Sequence, residues 1–197
     1  MSPRCSSPYH DLRVLIPIVF LLALAITPTT GGYAQGASAT NEYRLSAAFA
    51  LAHYGYDPAL GFEITFRPII RNQFAFRLRG NIQMMEAYKA ADDQWVAYQS
   101  FGIGMVYRVD VSETARFYAE LGGFALLPDR RFTSKKFLQG IYQLNGLEIY
   151  FSKKQTRNLA FFIALGPSLI NARAEKVEGQ PRYGNGLIYM NGVRLYF

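Results

Sequence analysis

The chain has 197 residues, of which half are hydrophobic and 15% are aromatic, and its formal net charge at pH 7 is +7. This length allows one ordinary domain. Beyond residue 34, no run reaches the roughly 18 consecutive apolar residues that a membrane-spanning helix needs, so the composition argues against such a helix.

The first 34 residues have the three parts of a cleaved signal peptide. Two arginines make the start positive, residues 14–26 form an apolar run, and residues 32–34 offer small side chains around a cleavage point. The apolar run is too short for a helix that crosses a bilayer. We therefore expect residues 1–34 to be removed on export and residues 35–197 to fold as one domain.

The position of the cysteine and the net charge indicate which modifications and partners the exported chain can have. Cys5, the only cysteine, precedes the apolar run, so neither a lipid-modified cysteine nor a disulfide is expected. The remaining chain is still basic, which favours an anionic partner. Because an exported protein rarely meets nucleic acid, we expect no nucleic-acid binding and favour anionic lipid headgroups.

Apolar residues recur at every second position in most of the remaining chain, which is typical of half-buried β-strands. In the first segment Leu45, Phe49 and Leu51 alternate with small or charged residues. The sixth segment changes parity between Leu144 and Leu147, which predicts a bulge there. The predicted strands are residues 43–52, 62–66, 74–82, 96–109, 116–125, 138–151, 159–169 and 189–197.

The predicted connections alternate between long and short. Long connections are expected at residues 53–61, 84–95, 126–137 and 171–183, and short ones at 71–72, 110–115 and 152–158. This alternation is typical of a transmembrane barrel with long outer loops and short periplasmic turns. The sequence therefore predicts an all-β fold, a closed antiparallel up-and-down barrel of about eight strands with both termini periplasmic.

The face opposite the apolar one indicates which way the barrel is turned. It combines very small residues, such as Gly102 and Gly104, with charged ones. Arginine on a lipid-facing position costs roughly 2–4 kcal/mol near the bilayer midplane, so the charged face is expected to line the lumen. A soluble lipocalin-like carrier, with the apolar face inward, is an alternative. The predicted lumen ion-pair network is Arg44, Glu63, Arg67, Arg77, Arg79, Arg108, Glu120, Glu148 and Arg194.

The last nine residues, Tyr189–Phe197, resemble the terminal strand of outer-membrane barrels, since they end on an aromatic residue preceded by alternating apolar ones. Asn191 departs from that alternation. Strand by strand, residues 35–197 are similar to the small OmpA/OmpX-type barrels. The resemblance implies a bacterial outer-membrane location and recognition by the barrel-assembly machinery. The implied assembly signal is Tyr189, Val193, Leu195 and Phe197.

Outer-membrane barrels of this size include two enzymes that modify lipid A, a palmitoyltransferase and a deacylase. His53 could act as a general base, with Asp92 or Asp93 as its carboxylate partner. Ser100 is expected to point into the lumen, and the local motif of neither enzyme surrounds it. The alternatives are a lipid A modifying enzyme that uses His53 and a non-enzymatic barrel with a structural or surface-interaction role, and we expect the second, with no cofactor or metal.

The third long connection carries four basic residues that could contact the phosphates of lipopolysaccharide; a simply solvated basic loop is the other interpretation. These residues are Arg130, Arg131, Lys135 and Lys136. Eight strands enclose a space that side chains largely fill, so we expect a monomer without a wide pore.

Overall fold

The computed structural model describes residues 45–69, 73–89, 92–151, 158–170, 172–177, 180, 182–184 and 186–197. The predicted signal peptide and Arg44 lie outside these residues. In the described part, no helix is long and apolar enough to span a membrane.

Eight antiparallel strands form a closed barrel in which each strand pairs with its neighbours in sequence and β8 pairs with β1. The predicted fold class is therefore confirmed. The end of the barrel that joins β1 to β2 and β7 to β8 is the far end, and the opposite, near end holds the first and last described residues. The strands are β1 (Leu45–Tyr54), β2 (Asp57–Phe66), β3 (Phe74–Lys89), β4 (Asp92–Asp110), β5 (Ala115–Leu127), β6 (Leu138–Tyr150), β7 (Leu159–Ile170) and β8 (Gly186–Tyr196).

Side chains alternate between the two faces of the wall because successive residues of a strand point in opposite directions. On β1, Phe49 is 56% exposed on the outside, whereas Ala48 and Ala50 are buried inside. The same alternation holds on β7, where Ile163 is exposed and Phe162 is fully buried. On these two strands the described apolar residues predicted to face outward therefore do so.

The predicted bulge in the sixth strand is wrong. Strand β6 pairs with β5 in one unbroken register, from Ala115 opposite Ile149 to Leu126 opposite Leu138. Tyr142 and Leu144 of β6 point into the lumen, where both are buried in a cluster of apolar and aromatic side chains. Because part of the lumen is apolar, a parity change in the sequence did not require a change of register.

Two of the four predicted long connections are also absent. Strands β1 and β2 are joined by Gly55 and Tyr56 alone, and Gly55 adopts a φ of 64°, which glycine tolerates in a tight hairpin turn. Most of the predicted second connection belongs to strands β3 and β4, which pair with each other as far as Lys89 and Asp92. This hairpin extends beyond β2, which pairs with β3 only as far as Gln83. The other two, residues 128–137 and 171–185, are long as predicted.

Candidate functional site

A cluster of arginines and glutamates fills the middle of the lumen. From β3, Arg77 donates a hydrogen bond to Glu120 at 2.7 Å, and Arg79 donates to the same carboxylate oxygen at 3.1 Å. Tyr142 donates to the other oxygen of Glu120 at 2.6 Å. All four side chains are buried. Glu120 on β5 therefore joins both arginines of β3 and a tyrosine of β6.

The remaining members connect the last strand to this group. Arg194 on β8 donates to Glu63 on β2 at 2.5 Å and also to Glu148 on β6. Glu63 accepts a further bond from Arg79 at 2.7 Å, and Tyr196 donates to Glu148 at 2.6 Å. These contacts tie strands that are far apart in the sequence. The lumen cluster consists of Glu63, Arg77, Arg79, Glu120, Glu148 and Arg194.

Equal numbers of arginines and glutamates offset the cost of burying charge in this cluster. Aromatic rings add to this compensation, because a guanidinium group is attracted to the face of a ring. The Arg77 guanidinium lies 4.9 Å from the centre of the Tyr118 ring, and that of Arg194 lies 4.6 Å from the Phe162 ring. The cluster is thus a compact, charge-balanced plug of side chains.

Two other predicted members lie elsewhere. Arg67 is exposed, because β2 ends at Phe66 and the alternation of faces stops with it. Arg108 is buried on β4 nearer the near end. Sequence reasoning missed Arg116, which donates to Asp110 at 2.8 Å and lies over the Tyr150 ring. Its even position on β5, like that of Glu120, was a signal that could have identified it.

We name the two long connections, residues 128–137 and 171–185, the cap. Their described residues contact each other at the far end. Glu175 accepts hydrogen bonds from the Ser134 amide at 2.8 Å and from the Thr133 hydroxyl at 2.9 Å. The Lys176 amide donates to the Phe132 carbonyl at 3.1 Å. The bonds to Glu175 stabilise its charged form and lower its pKa to about 2.

The underside of the cap is bound to the barrel wall. Asp57, at the start of β2, accepts hydrogen bonds from the Tyr98 hydroxyl at 2.5 Å and from the Gly184 amide at 3.1 Å. The Ser168 hydroxyl donates to the Gly184 carbonyl at 2.7 Å, and the rings of Tyr98 and Tyr183 meet edge to face at 5.2 Å. The second connection of the cap therefore rests on three different strands.

The four basic residues predicted to contact phosphates all lie in the cap, but their surroundings differ. Arg131 donates to Asp129 through two guanidinium nitrogens at 3.0 and 2.7 Å, which lowers the pKa of that carboxyl group. Arg130, Lys135 and Lys136 are exposed. The structure thus separates one internally paired arginine from three outward cations.

The structure does not bring His53 and Ser100 together, and the side chains of Asp92 and Asp93 lie outside its described part. His53 is exposed on the outer face of β1. Ser100 is buried on the inner face of β4, where its hydroxyl oxygen accepts hydrogen bonds from the amides of Asn81 and Gln83 at 3.2 and 2.9 Å. The barrel wall separates the two side chains. Within the described residues, no group of three or more histidine, cysteine or acidic residues could hold a metal ion.

Comparison with known proteins identifies solved structures that have the same fold as this chain. No protein-family model and no curated protein matches the chain. The N-terminal β-barrel domain of Pseudomonas aeruginosa OprF superposes with a TM-score of 0.54 at 11% identity, covering 78% of this chain and 96% of that domain. The fold is that of a small outer-membrane barrel.

Two structures of Ail from Yersinia pestis are also similar. The crystal structure of this attachment invasion locus protein has a TM-score of 0.43 at 12% identity and covers 78% of this chain and 96% of Ail. The structure of the same outer membrane protein in a phospholipid nanodisc has a TM-score of 0.46 at 16% identity and covers 79% and 100%.

In this fold the last strand closes the barrel. Strand β8 pairs with β1 from Ser46 opposite Tyr196 to Tyr54 opposite Ile188, and the Phe197 amide donates to the Leu45 carbonyl at 2.9 Å. The residues of the implied assembly signal share one exposed outer row, in which Asn191 is half-buried. These residues are Tyr189, Val193, Leu195 and Phe197.

Proposed function

We propose that this chain is an integral protein of the bacterial outer membrane, non-enzymatic and without a wide pore, whose role is structural or interactive. The observation that carries the proposal is the belt, the set of exposed apolar side chains that surrounds the barrel. Every strand contributes to it. Members of the belt include Leu51, Phe62, Leu78, Ile103, Leu121, Ile141, Ile163 and Val193.

An apolar surface on all sides of a protein is unfavourable in water and favourable in lipid. The charged side chains of the wall lie instead in the lumen, where they are buried and form ion pairs. A soluble carrier would place its apolar residues inside, around the ligand, and its charged residues outside. The distribution of side chains therefore supports lipid as the surroundings of the barrel.

Aromatic side chains at the two ends of the belt support the same surroundings, since amphipathic rings favour the membrane interface. At the near end, the rings of Phe74 and Tyr107 lie 5.1 Å apart, and Phe197 is exposed. At the far end, Tyr56 and Trp95 are exposed. A membrane would then cover the wall between these two groups of rings.

Two features support a barrel without a wide pore. The lumen cluster crosses the interior, with Arg77 and Arg194 almost fully buried, and the cap is bound to the wall at the far end through the Gly184 amide, which donates to Asp57. Eight strands leave space only for side chains. Recordings in planar bilayers should show no steps of porin size, and such steps would contradict this part of the proposal.

Export and assembly complete the proposal. Residues 1–34 would act as a signal peptide, and the assembly machinery would recognise the outer row of β8 that ends at Phe197. Along the closed wall each strand pairs on both sides, which favours a monomer, although the ends of β3 and β4 beyond Gln83 and Gln99 pair on one side.

Electrophoresis in mild SDS tests the membrane barrel, because closed barrels resist unfolding until heated. Membranes are separated after expression of the full chain, and the protein is run with and without boiling. We expect the protein in the outer-membrane fraction and a clear mobility shift on boiling. Recovery of soluble protein without detergent, and without a shift, would contradict the proposal.

A further inference from the structure

We propose that the cap holds a binding site for the phosphate groups of a membrane glycolipid, built jointly by its two connections. This inference rests on the proposed membrane location and names the partner of the far end. The site consists of Arg130, Lys135 and Lys136 from the first connection and of Arg173 and Lys176 from the second, all of which are exposed.

The cap is strongly basic. Its two connections contain seven basic and three acidic residues in the sequence. Two of the acidic residues already bind groups of the cap itself, since Asp129 accepts from Arg131 and Glu175 accepts from Ser134. Their hydrogen-bonding capacity is thus used within the cap, while the five cations of the site are exposed. A dianionic phosphate would therefore meet an excess of positive charge.

The contacts between the two connections bring the cations close together. The Lys176 ammonium group donates to the Arg130 carbonyl at 3.0 Å, which places the Lys176 side chain beside the first connection. Glu175 binds Ser134, the residue directly before Lys135. Cations that are more than 35 positions apart in the sequence therefore share one surface. Several cations on one surface can contact one phosphorylated headgroup, with charge-assisted hydrogen bonds to its oxygens.

The position of the site selects a lipid over a soluble polyanion. Lys136 is followed directly by Phe137, which is 49% exposed, and the next outward apolar residue of β6, Ile141, is 58% exposed. Cationic and outward apolar side chains thus adjoin at Lys136 and Phe137, and Gln139 is the one outward polar residue between Phe137 and Ile141. An amphiphile with acyl chains below and phosphates above matches this order. A soluble polyanion would match only the cationic part.

The test measures binding of lipid A to the full mature chain in nanodiscs of neutral phospholipid. Wild type is compared with the triple variant Arg130→Ser, Lys135→Ser and Lys136→Ser. Lys153→Ser, Lys154→Ser and Arg157→Ser together form the matched control, because these three basic residues lie between β6 and β7 in the sequence, outside the two connections of the cap. Exposed ion pairs contribute modestly, so we expect about tenfold weaker binding for the triple variant and wild-type binding for the control.

Two further ligands test whether the cap recognises the phosphates of a lipid, the acyl chains alone or any phosphate anion. Dephosphorylated lipid A, with the same acyl chains, should bind as weakly to wild type as phosphorylated lipid A binds to the triple variant. Inorganic pyrophosphate should compete only at high concentration. Equal binding of the two lipids, an unaffected triple variant, or competition by pyrophosphate at the concentration of the lipid would each overturn the proposal.

Heat-dependent mobility is measured on the same samples. A variant that keeps its mobility shift and still binds lipid A like wild type contradicts the cap site alone. A wild-type protein that shows no mobility shift on boiling would contradict the proposed membrane barrel itself. The two failures are therefore distinguishable.

Discussion

The substitution Glu120→Gln is the most direct test of the lumen cluster. The carboxylate of Glu120 accepts hydrogen bonds from Arg77, Arg79 and Tyr142 at 2.7, 3.1 and 2.6 Å. The amide has nearly the same shape but no charge, and it leaves three arginines of the cluster facing two glutamates. Removing one partner of a buried ion pair costs about 3–5 kcal/mol, so we expect a loss of unfolding free energy of that size.

Urea unfolding of the refolded barrel in detergent micelles measures this loss, with the fluorescence of Trp95, the only tryptophan, as one probe. At a slope of about 2 kcal/mol per molar urea, a loss of about 4 kcal/mol lowers the midpoint by roughly 2 M. Glu113→Gln is the control, because Glu113 is exposed in the β4–β5 turn. We expect the control to change stability by less than about 0.5 kcal/mol.

A double variant examines whether charge balance is the cause. Adding Arg77→Met to Glu120→Gln leaves two arginines and two glutamates in the lumen cluster. We expect the pair to cost clearly less than the sum of the two single changes, because each single change leaves a buried charge uncompensated. Strict additivity, or a Glu120→Gln protein as stable as the control, would refute the reasoning.

Three further predictions concern the wall and the cap. A Cβ on Gly166 would collide with the Gln143 carbonyl, so Gly166→Ala should lower the urea midpoint. Gly80→Ala is the control and should not lower it, because its Cβ would meet nothing closer than the Phe101 ring at 3.8 Å. Equal midpoints for the two variants would contradict this prediction. Ile163→Arg should cost about 2–4 kcal/mol because it places a cation on the lipid face, and Ile163→Leu less than about 1.5 kcal/mol, as the same unfolding assay would show. The folded pKa of Glu175 lies near 2 and its ordinary value at 4.5, so its bonds to the cap stabilise the cap fully above about pH 5 and are lost as the pH falls toward 2. Exchange of the Ser134 amide hydrogen, corrected for its intrinsic rate, should therefore be faster at pH 2.5 than at pH 6, and equal protection would count against this.

Much of the wall could be predicted from the sequence because the two sides of the barrel wall have very different surroundings. Where one side meets an apolar environment and the other a polar one, alternation is strong, as from Leu159 to Leu165 on β7. The prediction failed on β6 because it assumed that every apolar residue faces outward. Leu144 is apolar but packs inside, against the apolar part of the lumen.

The strand ends were harder to predict for a related reason. Towards the far end the outer face also carries polar residues such as His53, so the alternation of apolar and polar residue types weakens although the strands and the alternation of burial continue. The sequence therefore suggested a long first connection, but β1 and β2 extend to Tyr54 and Asp57. Arg67 shows the opposite error, since the predicted alternation was carried one residue past the end of β2.

The cap could not be predicted from sequence patterns because its contacts join distant positions. Glu175 and Ser134 are 41 residues apart, and Asp57 and Gly184 are 127 apart. Neither pair belongs to a periodic pattern. In the lumen cluster, by contrast, the parity of each residue predicted which charges would share the interior. Parity alone could not assign the partners, because the two oxygens of Glu63 bind arginines from β3 and β8.

The distribution of charge separates the parts of the barrel that serve stability from those that serve interaction. In the lumen cluster each carboxylate is bound by arginines, which leaves little charge to attract a ligand. In the cap Asp129 and Glu175 bind the cap itself, and Arg130, Lys135 and Lys136 remain exposed. Substitutions in the lumen cluster should therefore change stability, whereas substitutions of Arg130, Lys135 and Lys136 should change binding and leave the unfolding midpoint nearly constant. A cap variant with a large loss of stability would contradict this separation, since exposed charges away from ion pairs contribute little to folding.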